Sequence, residues 1–497
     1  MNRGQMPVVG DHIPDAAAEK PVSGQRLRHR IMRGGGLLGM AEGTSLLLRF
    51  ARSIILARLL TPADFGVAAT FLMTIQFLEM LSDLGADKLL VQCREEEAER
   101  LQRVSQSLAV VRGLIIGLVI FLLAGVLARM FRAPEAVAGF RLLAVVPVVR
   151  GFCHQDIVRM QREMRFGPWV FTQIASGTVA TLLAWPLAIY FRDWRSLLGM
   201  LVMDSLLVLA LSHLLAERRY RWGLEGGELS RLVQFGWPLL INGLLVFGIF
   251  QGDRFIVATW YGMTELGLYS VAFMVAILPV GVSSRIGELL LLPVFSNLRA
   301  ESARLDRAYR LTQQVVSFGA AALSIMWIVA GPAIVVLLYG RKYQSAAILV
   351  GWLGIAHAVR LLRLVPTLGV LAYADSRNPL IANIVRTTAL PLAAGAAACG
   401  GDLRLIAAAT LVGETLAFVS AVLGAHRRHG LSWSAVVYPS LCYGTAVAAC
   451  VLVKEVLVPA NGVAIGLITG TGFVFLLAAI MLAGFGEARS LVCPRRV

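Results

Sequence analysis

Runs of about 20 predominantly apolar residues recur from residue 34 almost to the end of the chain. Such a run is long enough for an α-helix to cross a bilayer, and lipid admits only helices and closed barrels as spanning structures. Hydrophobic residues make up 57% of the 497 residues and charged residues only 15%. This composition excludes an ordinary soluble globular protein. The hydropathy pattern predicts an all-α polytopic membrane protein with about 14 transmembrane helices.

The two halves of the apolar region resemble each other. A single shift of the sequence aligns Ile55 with Ile256 and Gly66 with Gly267, and loops and charges then also coincide. We therefore predict two six-helix bundles, residues 34–218 and 230–428. Because six is an even number of crossings, an axis along the membrane normal would relate the bundles and leave a cavity between them. Residues 433–487 would add helices 13 and 14.

The positive charges indicate how the chain is oriented. Most Lys and Arg residues lie in the loops on the N-terminal side of the predicted membrane, so the positive-inside rule places both termini in the cytoplasm. Residues 1–33 are predicted to be a disordered basic cytoplasmic tail, and residues 488–497 a second cytoplasmic tail. The net charge of +16 is then explained by orientation and anionic headgroups, so we expect no nucleic-acid partner.

Two arginines lie in the first apolar run. A cation at mid-membrane costs roughly 2.5 to 3.5 kcal/mol, so Arg49 and Arg52 need a polar cavity or carboxylate partners. At helical spacing they share one stripe with Glu42, which predicts a wet wall able to handle negative charge. The alternative is that they pair with Glu79 or Asp83 on the next helix.

The second half also carries charges inside apolar runs. Asp253 takes the position that corresponds to Arg52, and Arg254 follows it but points to another side of the helix. Further along, Arg285 and Glu288 are spaced to neutralise each other, with a proton-coupled carboxylate as the alternative.

A third group of polar residues follows helical spacing. His357, Arg360 and Arg363 recur every three residues, which would present further positive charge to the cavity, although His357 alone is typical of a structural residue. For Arg112 and Arg150, which lie nearer helix ends, we expect snorkelling to headgroups.

Other kinds of chemistry find little support. The six cysteines show no metal-binding spacing, and the sequence contains no G-x-x-x-x-G-K-[ST] phosphate loop. We expect no metal, no cofactor and no enzymatic activity.

Three segments carry a family resemblance. The stretch Ala57–Phe71, with its Leu-Thr-Pro-x-x-Phe-Gly turn, the stretch Leu81–Gly85 and the loop Gln155–Phe166 resemble bacterial polysaccharide transporters. These are the Wzx-type oligosaccharide flippases of the MOP (multidrug, oligosaccharidyl-lipid, polysaccharide) exporter superfamily. The arrangement of six, six and two helices is similar, so the resemblance covers nearly the whole chain from about residue 34.

The resemblance implies a function. The substrate would be an undecaprenyl-diphosphate-linked oligosaccharide, flipped by alternating access across the bacterial inner membrane for exopolysaccharide, capsule or O-antigen export. Other partners would be membrane lipids, a glycan polymerase and chain-length proteins, and we expect a monomer. Candidate residues for binding the diphosphate are Arg49, Arg52, Arg254, Arg360 and Arg363, and candidate ion-coupling carboxylates are Glu42, Asp253 and Glu288. Because Asp253 replaces an arginine in the second half, a symmetric site is not expected.

Two alternatives remain open at this point. A drug or small-molecule exporter of the same superfamily would prefer an acidic cavity, which the intramembrane arginines disfavour. A membrane-embedded glycan polymerase or ligase would need a sizeable loop with acid and base residues, and the predicted loops are short.

Overall fold

The computed structural model describes residues 24–93, 95–223 and 225–457, and all regular structure in these ranges is helical. This confirms the all-α class. The helices are α1 (Gly24–Leu59), α2 (Pro62–Ser82), α3 (Ala86–Gln92), α4 (Glu95–Met130), α5 (Val137–Leu143), α6 (Val145–Gly151), α7 (Asp156–Arg162), α8 (Gly167–Phe191), α9 (Arg195–Leu214), α10 (Gly226–Trp260), α11 (Met263–Leu298), α12 (Ser302–Val329), α13 (Gly331–Tyr339), α14 (Ala347–Leu371), α15 (Arg377–Arg386), α16 (Ala389–Ala398), α17 (Leu403–His429) and α18 (Ser434–Leu457), with short 3₁₀ segments at Pro134–Ala136 and Arg341–Ala346.

The chain is a multi-pass membrane protein. Within the described ranges, 11 helices are long and apolar enough to cross a membrane, or 12 if the bent pair Pro134–Gly151 and Asp156–Arg162 forms one span. Helix α1 is not one of them, because Glu42, Arg49 and Arg52 interrupt its apolar stretch. The predicted fourteenth helix and the tail 488–497 lie outside the described residues, so the count of fourteen stays a prediction.

The N-terminal boundary differs from the predicted one. Helix α1 begins at Gly24, so residues 24–33 are helical although they were predicted to belong to a disordered tail. Extending an existing helix costs much less than nucleating a new one, which explains why the helix of the apolar run continues into polar sequence. Residues 1–23 of the predicted tail lie outside the described residues.

The Leu-Thr-Pro turn sets the start of α2. The Thr61 hydroxyl accepts a hydrogen bond from the Asp64 backbone amide at 3.2 Å and so caps the helix. Pro62 occupies the first helical turn, where its missing amide donor costs nothing. The motif therefore fixes where α2 begins, directly beside α11.

Helices α2 and α11 cross through two glycines that the internal repeat aligns. A Cβ atom on Gly66 would lie 1.9 Å from the carbonyl oxygen of Met263, and one on Gly267 would lie 1.9 Å from that of Pro62. Pro62 and Met263 are aligned by the same shift. The contact is thus reciprocal, as a two-fold axis between two repeats requires. The division into two bundles stays a prediction, and we use it to call α1–α9 the N-lobe and α10–α17 the C-lobe.

The lobes are joined at the end where α1 meets α2. The Ser53 hydroxyl lies 3.0 Å from that of Tyr339, and Arg58 Nε donates to the Leu338 carbonyl at 2.8 Å. In return, Lys342 Nζ donates to the Arg58 carbonyl at 2.9 Å, near the end of α1, where helix carbonyls lack partners. These bonds close one end of the space between the lobes.

Two of the candidate spans consist of more than one helix. Helices α5 and α6 are followed by a bend of 50° before α7. At this bend the Gln106 side chain donates to the Cys153 carbonyl at 3.0 Å, and the Ser212 hydroxyl accepts from the His154 amide at 2.9 Å. A short turn also separates α15 from α16 within the candidate span Arg377–Ala398. Broken helices are tolerated at this depth where they are buried in protein or line a cavity.

Candidate functional site

Arg49 remains accessible on α1. Its Nη2 atom lies 3.7 Å from Oε1 of Glu42, and the two side chains are 52% and 47% exposed. An ion pair this open contributes only about 0 to 1 kcal/mol, so its arginine can be released to another anion. The alternative prediction paired Arg49 with Glu79 or Asp83, but its ion pair is with Glu42.

Arg52 is half-buried and faces the interior of the N-lobe. Its acidic neighbour is Asp204 on α9, and Arg49 and Arg150 lie close enough to repel it. Arg150 also bridges two carboxylates, with Nη1 3.2 Å from Glu79 Oε1 and Nη2 3.4 Å from Asp204 Oδ2. Asp204 therefore interacts with both Arg52 and Arg150, and Glu79 forms an ion pair with Arg150.

The expectation that Arg112 and Arg150 snorkel to headgroups was wrong. Arg112 donates from Nε to the Ser82 hydroxyl at 2.8 Å and lies 3.9 Å from Asp83. Both arginines line a polar cavity of about 200 Å³ inside the N-lobe. The end of α2 provides Glu79, Ser82 and Asp83 as polar partners inside the bundle, so these arginines do not need to reach the headgroups.

In the C-lobe, three arginines surround one carboxylate. Glu414 on α17 is completely buried, and its Oε1 atom accepts from Arg360 Nε at 2.8 Å and contacts Arg386 Nε at 2.7 Å. Arg363 Nη2 lies 3.8 Å from the other oxygen. We call Arg360, Arg363, Arg386 and Glu414 the arginine cluster. Its formal charge is positive by two units, in a place where charges are costly unless they are paired.

The other direct contacts of the arginine cluster are neutral, although the Asp253 carboxylate lies near Arg360 and lines one pocket together with Arg386. Arg363 Nη1 donates to the side-chain oxygen of Asn383 at 3.0 Å. The guanidinium groups of Arg360 and Arg386 lie 4.9 and 5.3 Å from the centre of the Phe250 ring. Such contacts stabilise a cation without neutralising it. The excess positive charge is thus held in place and remains able to attract an anion.

Asp253 and Arg254 point apart, as their spacing on the helix indicated. The Asp253 carboxylate accepts from the Tyr269 hydroxyl at 2.8 Å and from the backbone amide of Arg254 at 2.8 Å. The Arg254 guanidinium instead lies 4.3 Å from the centre of the Phe273 ring and donates to the Phe250 carbonyl at 3.0 Å. Arg254 adds a further cation beside the arginine cluster.

The remaining predicted residues are placed as follows. Arg285 Nη1 lies 3.1 Å from Glu288 Oε2, and both are exposed, so the local pair forms. His357 is buried edge-on to the Phe273 ring at 5.1 Å, and neither ring nitrogen has a hydrogen-bond partner among the described residues. Those residues also contain no group of three or more His, Cys, Asp or Glu that could hold a metal ion.

Sequence reasoning missed Asp204, Arg386 and Glu414. Each is an ionisable residue inside an apolar run, which is itself a signal of a partner within the bundle. The partners lie on other helices, and helical spacing relates only residues on the same helix. The arginines of the predicted list therefore divide between two places, with Arg49 and Arg52 in the N-lobe and the others in or beside the arginine cluster.

Comparison with known families agrees with this architecture. Residues 55–348 match the family described as "Polysaccharide biosynthesis protein". The chain belongs to this polysaccharide biosynthesis family. It is 29% identical over 322 residues to the succinoglycan biosynthesis transport protein ExoT of Rhizobium meliloti, with 63% of each chain covered. It is 24% identical over 328 residues to the lipopolysaccharide biosynthesis protein WzxC of Escherichia coli, covering 64% of this chain and 65% of that one. The matches thus span less than two thirds of these two relatives.

Solved structures show the same fold for this member of the polysaccharide biosynthesis family. The lipid II flippase MurJ in an inward closed conformation superposes with a TM-score of 0.68 at 12% identity, covering 90% of this chain and 98% of that one. An inward-facing multidrug resistance MATE transporter of the MOP superfamily gives 0.56 at 14% identity, covering 83% and 96%. The likeness to both structures concerns the fold: the chain shares their helical architecture.

Proposed function

We propose that the protein flips an undecaprenyl-diphosphate-linked oligosaccharide across the bacterial inner membrane for polysaccharide export. The observation that carries this proposal is the excess of positive charge in the arginine cluster. The distribution of Lys and Arg between the loops would place both termini in the cytoplasm. The protein would act as a monomer, together with a glycan polymerase and chain-length proteins. The relatives named as transport and lipopolysaccharide biosynthesis proteins support the substrate class.

A diphosphate suits the charges that the chain provides. It carries several negative charges on a compact group, and guanidinium groups bind phosphate oxygens with paired hydrogen bonds. Arg49 and Arg52 would meet it first, because the Glu42 partner of Arg49 is loosely held. Arg254, Arg360 and Arg363 would then attract it toward the C-lobe.

The arrangement of the lobes supports alternating access. The bonds between α1 and the α13 region close one end, and few of them need to break to separate the lobes there. Rocking of the repeats about their shared axis would expose the arginines first to one side and then to the other. In this cycle the glycan would cross through water between the lobes.

The candidates for ion coupling are Glu42, Asp253 and Glu288, and they differ in how tightly an arginine holds them. Asp253 is the strongest of the three candidates because it is buried and held by the Tyr269 hydroxyl rather than by a cation's side chain. Glu42 could respond when Arg49 binds substrate. Glu288, which is exposed and paired with Arg285, would contribute least.

One observation favours a second candidate, a small-molecule exporter. The N-lobe cavity is lined by Glu79, Asp83 and Asp87 as well as by its two arginines. An organic cation would find carboxylates there, as an exporter of cationic drugs requires. The exporter candidate would thus hold its substrate in the N-lobe, whereas the flippase candidate would pass its diphosphate from the N-lobe to the C-lobe.

The experiment that tests the proposal examines lipid-linked glycans in spheroplasts of a strain that lacks the gene. A membrane-impermeant oxidant modifies only glycans in the outer leaflet. We expect the glycans to be protected in the deletion strain and modified after complementation. Normal modification in the deletion strain together with failed polymerisation would point to a polymerase or ligase. Normal glycan export with increased sensitivity to cationic drugs would favour the exporter.

A further inference from the structure

An apolar cleft lies between the two lobes on the outside of the bundle. It has a volume of about 660 Å³ and is formed by α2, α4, α10 and α16, with Phe77, Val126, Phe255 and Ala394 as one lining residue from each. Two aromatic pairs connect its walls across the lobes, Phe77 with Phe247 and Phe131 with Phe255, at 4.9 and 5.8 Å between ring centres. The cleft therefore belongs to both lobes.

A polar pocket lies directly behind this cleft. It is lined by Asp253, Arg386 and Thr410 and has a volume of about 20 Å³, which is room for one water molecule. Leu390 lines both the cleft and the pocket. Arg386 belongs to the arginine cluster and lines the pocket together with the Asp253 carboxylate, so charged side chains and a large apolar surface adjoin the same leucine.

Glycines on α10 allow Leu390 to occupy this position. A Cβ atom on Gly252 would lie 2.4 Å from Leu390 Cδ2, and one on Gly248 would lie 3.3 Å from Cδ1. Any larger residue at Gly252 would displace the leucine. The leucine side chain thus packs against the backbone of α10 and separates the two compartments.

The helix that carries these residues is broken between them. Arg386 ends α15, and Leu390 lies in the first turn of α16, with Thr387 and Thr388 between the helices. Pro391 cannot donate a backbone hydrogen bond, which weakens the junction further. Discontinuous membrane helices are typical of transporter binding sites. A movement at this junction would connect the cleft with the arginines.

We propose that the cleft binds the isoprenoid tail of the transported lipid while the charged headgroup is held on the inner side of Leu390. This inference rests on the proposed function. An amphipathic ligand matches a site in which an apolar cleft adjoins fixed positive charge, and a membrane-facing cleft gives a long chain access from the bilayer. In the present conformation the polar pocket is too small for a diphosphate, so the tail binds before α16 moves.

Photo-crosslinking of the full-length protein in membranes tests the proposal. A benzophenone amino acid replaces Val126 in the cleft or, as the matched control, Leu122, which lies one turn away on α4 and is also exposed. With radiolabelled undecaprenyl diphosphate as the probe, we expect at least fivefold more labelling from position 126 than from position 122. Radiolabelled phosphatidylglycerol should be crosslinked equally from both positions. Equal labelling by the polyprenyl probe, or preference of position 126 for phosphatidylglycerol, would overturn the proposal.

A second measurement separates this inference from the proposed function. Ala394→Phe narrows the cleft, whereas Ala398→Phe places the same bulk on an exposed position of the same helix. We expect Ala394→Phe to reduce both labelling at position 126 and outer-leaflet glycan, and Ala398→Phe to change neither. If Ala394→Phe left both unchanged while the wild type still flipped its glycan, only the tail site would be wrong. If the wild type itself did not flip the glycan, the proposed function would fail.

Discussion

The two lobes carry similar numbers of membrane-embedded arginines but pair them differently. In the N-lobe, Arg49 and Arg150 have carboxylate partners, and Asp204 also faces Arg52. In the C-lobe, the three arginines of the arginine cluster share Glu414. The N-lobe pairs are half-exposed, whereas the arginine cluster is almost completely buried.

Under the proposed function, this difference would give the two lobes different tasks. Partly exposed, balanced pairs exchange partners at little cost, which would suit the first capture of a substrate and its release. A buried excess of charge cannot be rearranged cheaply, so it would act as a fixed positive potential that holds an anion in one place. Repeated halves that began alike have thus diverged in electrostatics while keeping the reciprocal crossing of α2 and α11.

The largest effect is expected when the arginine cluster loses its anion. Glu414→Gln would leave three buried guanidinium groups without a carboxylate, and breaking a buried pair costs about 3 to 5 kcal/mol. We expect a strong loss of thermal stability in detergent and of abundance in the membrane. Glu288→Gln, which removes an exposed carboxylate from the same lobe, should change stability by less than about 1 kcal/mol.

A double variant makes this test sharper. Adding Arg386→Gln to Glu414→Gln removes one of the unpaired cations, and part of the lost stability should return. Wild-type stability in Glu414→Gln alone would show that the arginine cluster is not held by its carboxylate, and the contrast between the lobes would then be lost.

The next effect concerns transport rather than folding. Arg49→Gln and Arg52→Gln should each lower glycan translocation about ten- to a hundredfold, because a hydrogen bond to a charged group contributes about 1.5 to 3 kcal/mol. Protein abundance should stay normal, since the N-lobe pairs are exposed. Outer-leaflet glycan in spheroplasts gives the measurement. Arg129→Gln, an exposed arginine that bonds only the Gly125 carbonyl of its own helix among the contacts described, is the control. Full activity of both variants would remove Arg49 and Arg52 from the site.

Smaller and equal effects are expected where the lobes are still alike. Gly66→Ala and Gly267→Ala each place a methyl group against a backbone carbonyl of the other lobe, and overpacking of this kind costs about 1 to 3 kcal/mol. Gly281→Ala on α11 meets no atom within 4 Å and should be neutral or slightly stabilising. Thermal unfolding in detergent measures all three. A large difference between Gly66→Ala and Gly267→Ala would contradict the reciprocal crossing.

The sequence predicted most of what periodicity and repetition determine. The helical class, the Leu-Thr-Pro start of α2 and the alignment of Gly66 with Gly267 all follow from local patterns or from the internal shift. The arginines were recognised because charge inside an apolar run is unusual. The spacing also indicated that Asp253 and Arg254 diverge, and the structure confirms this.

Contacts between distant helices were beyond this reasoning. Glu414 joins arginines from α14 and α15, and Asp204 faces Arg52 across α1 and α9. Hydropathy also could not locate the breaks between α5, α6 and α7, because their backbone groups are satisfied by side chains such as Gln106 and Ser212 from other helices. These features depend on how the helices pack, which a single apolar run does not specify.

The smallest effect lies at the surface of the C-lobe, in the turn between α14 and α15. The His429 ring, followed by the Arg377 backbone amide and Arg428, lowers the pKa of Asp375 to about 2. Because the pKa is lower in the folded state, the carboxylate stabilises the fold above its unfolded pKa near 4, and this stabilisation is lost as the pH falls toward 2. Asp375→Asn should therefore lower the free energy of unfolding at pH 6 by about 1 kcal/mol, which is measured as a lower melting temperature. The difference from wild type, followed in detergent from pH 6 to pH 3, should shrink across the acid range. A difference that stayed constant with pH would mean that Asp375 contributes through its shape and not through its charge. The ion pairs of Asp375 would then not contribute to the charge balance of the C-lobe.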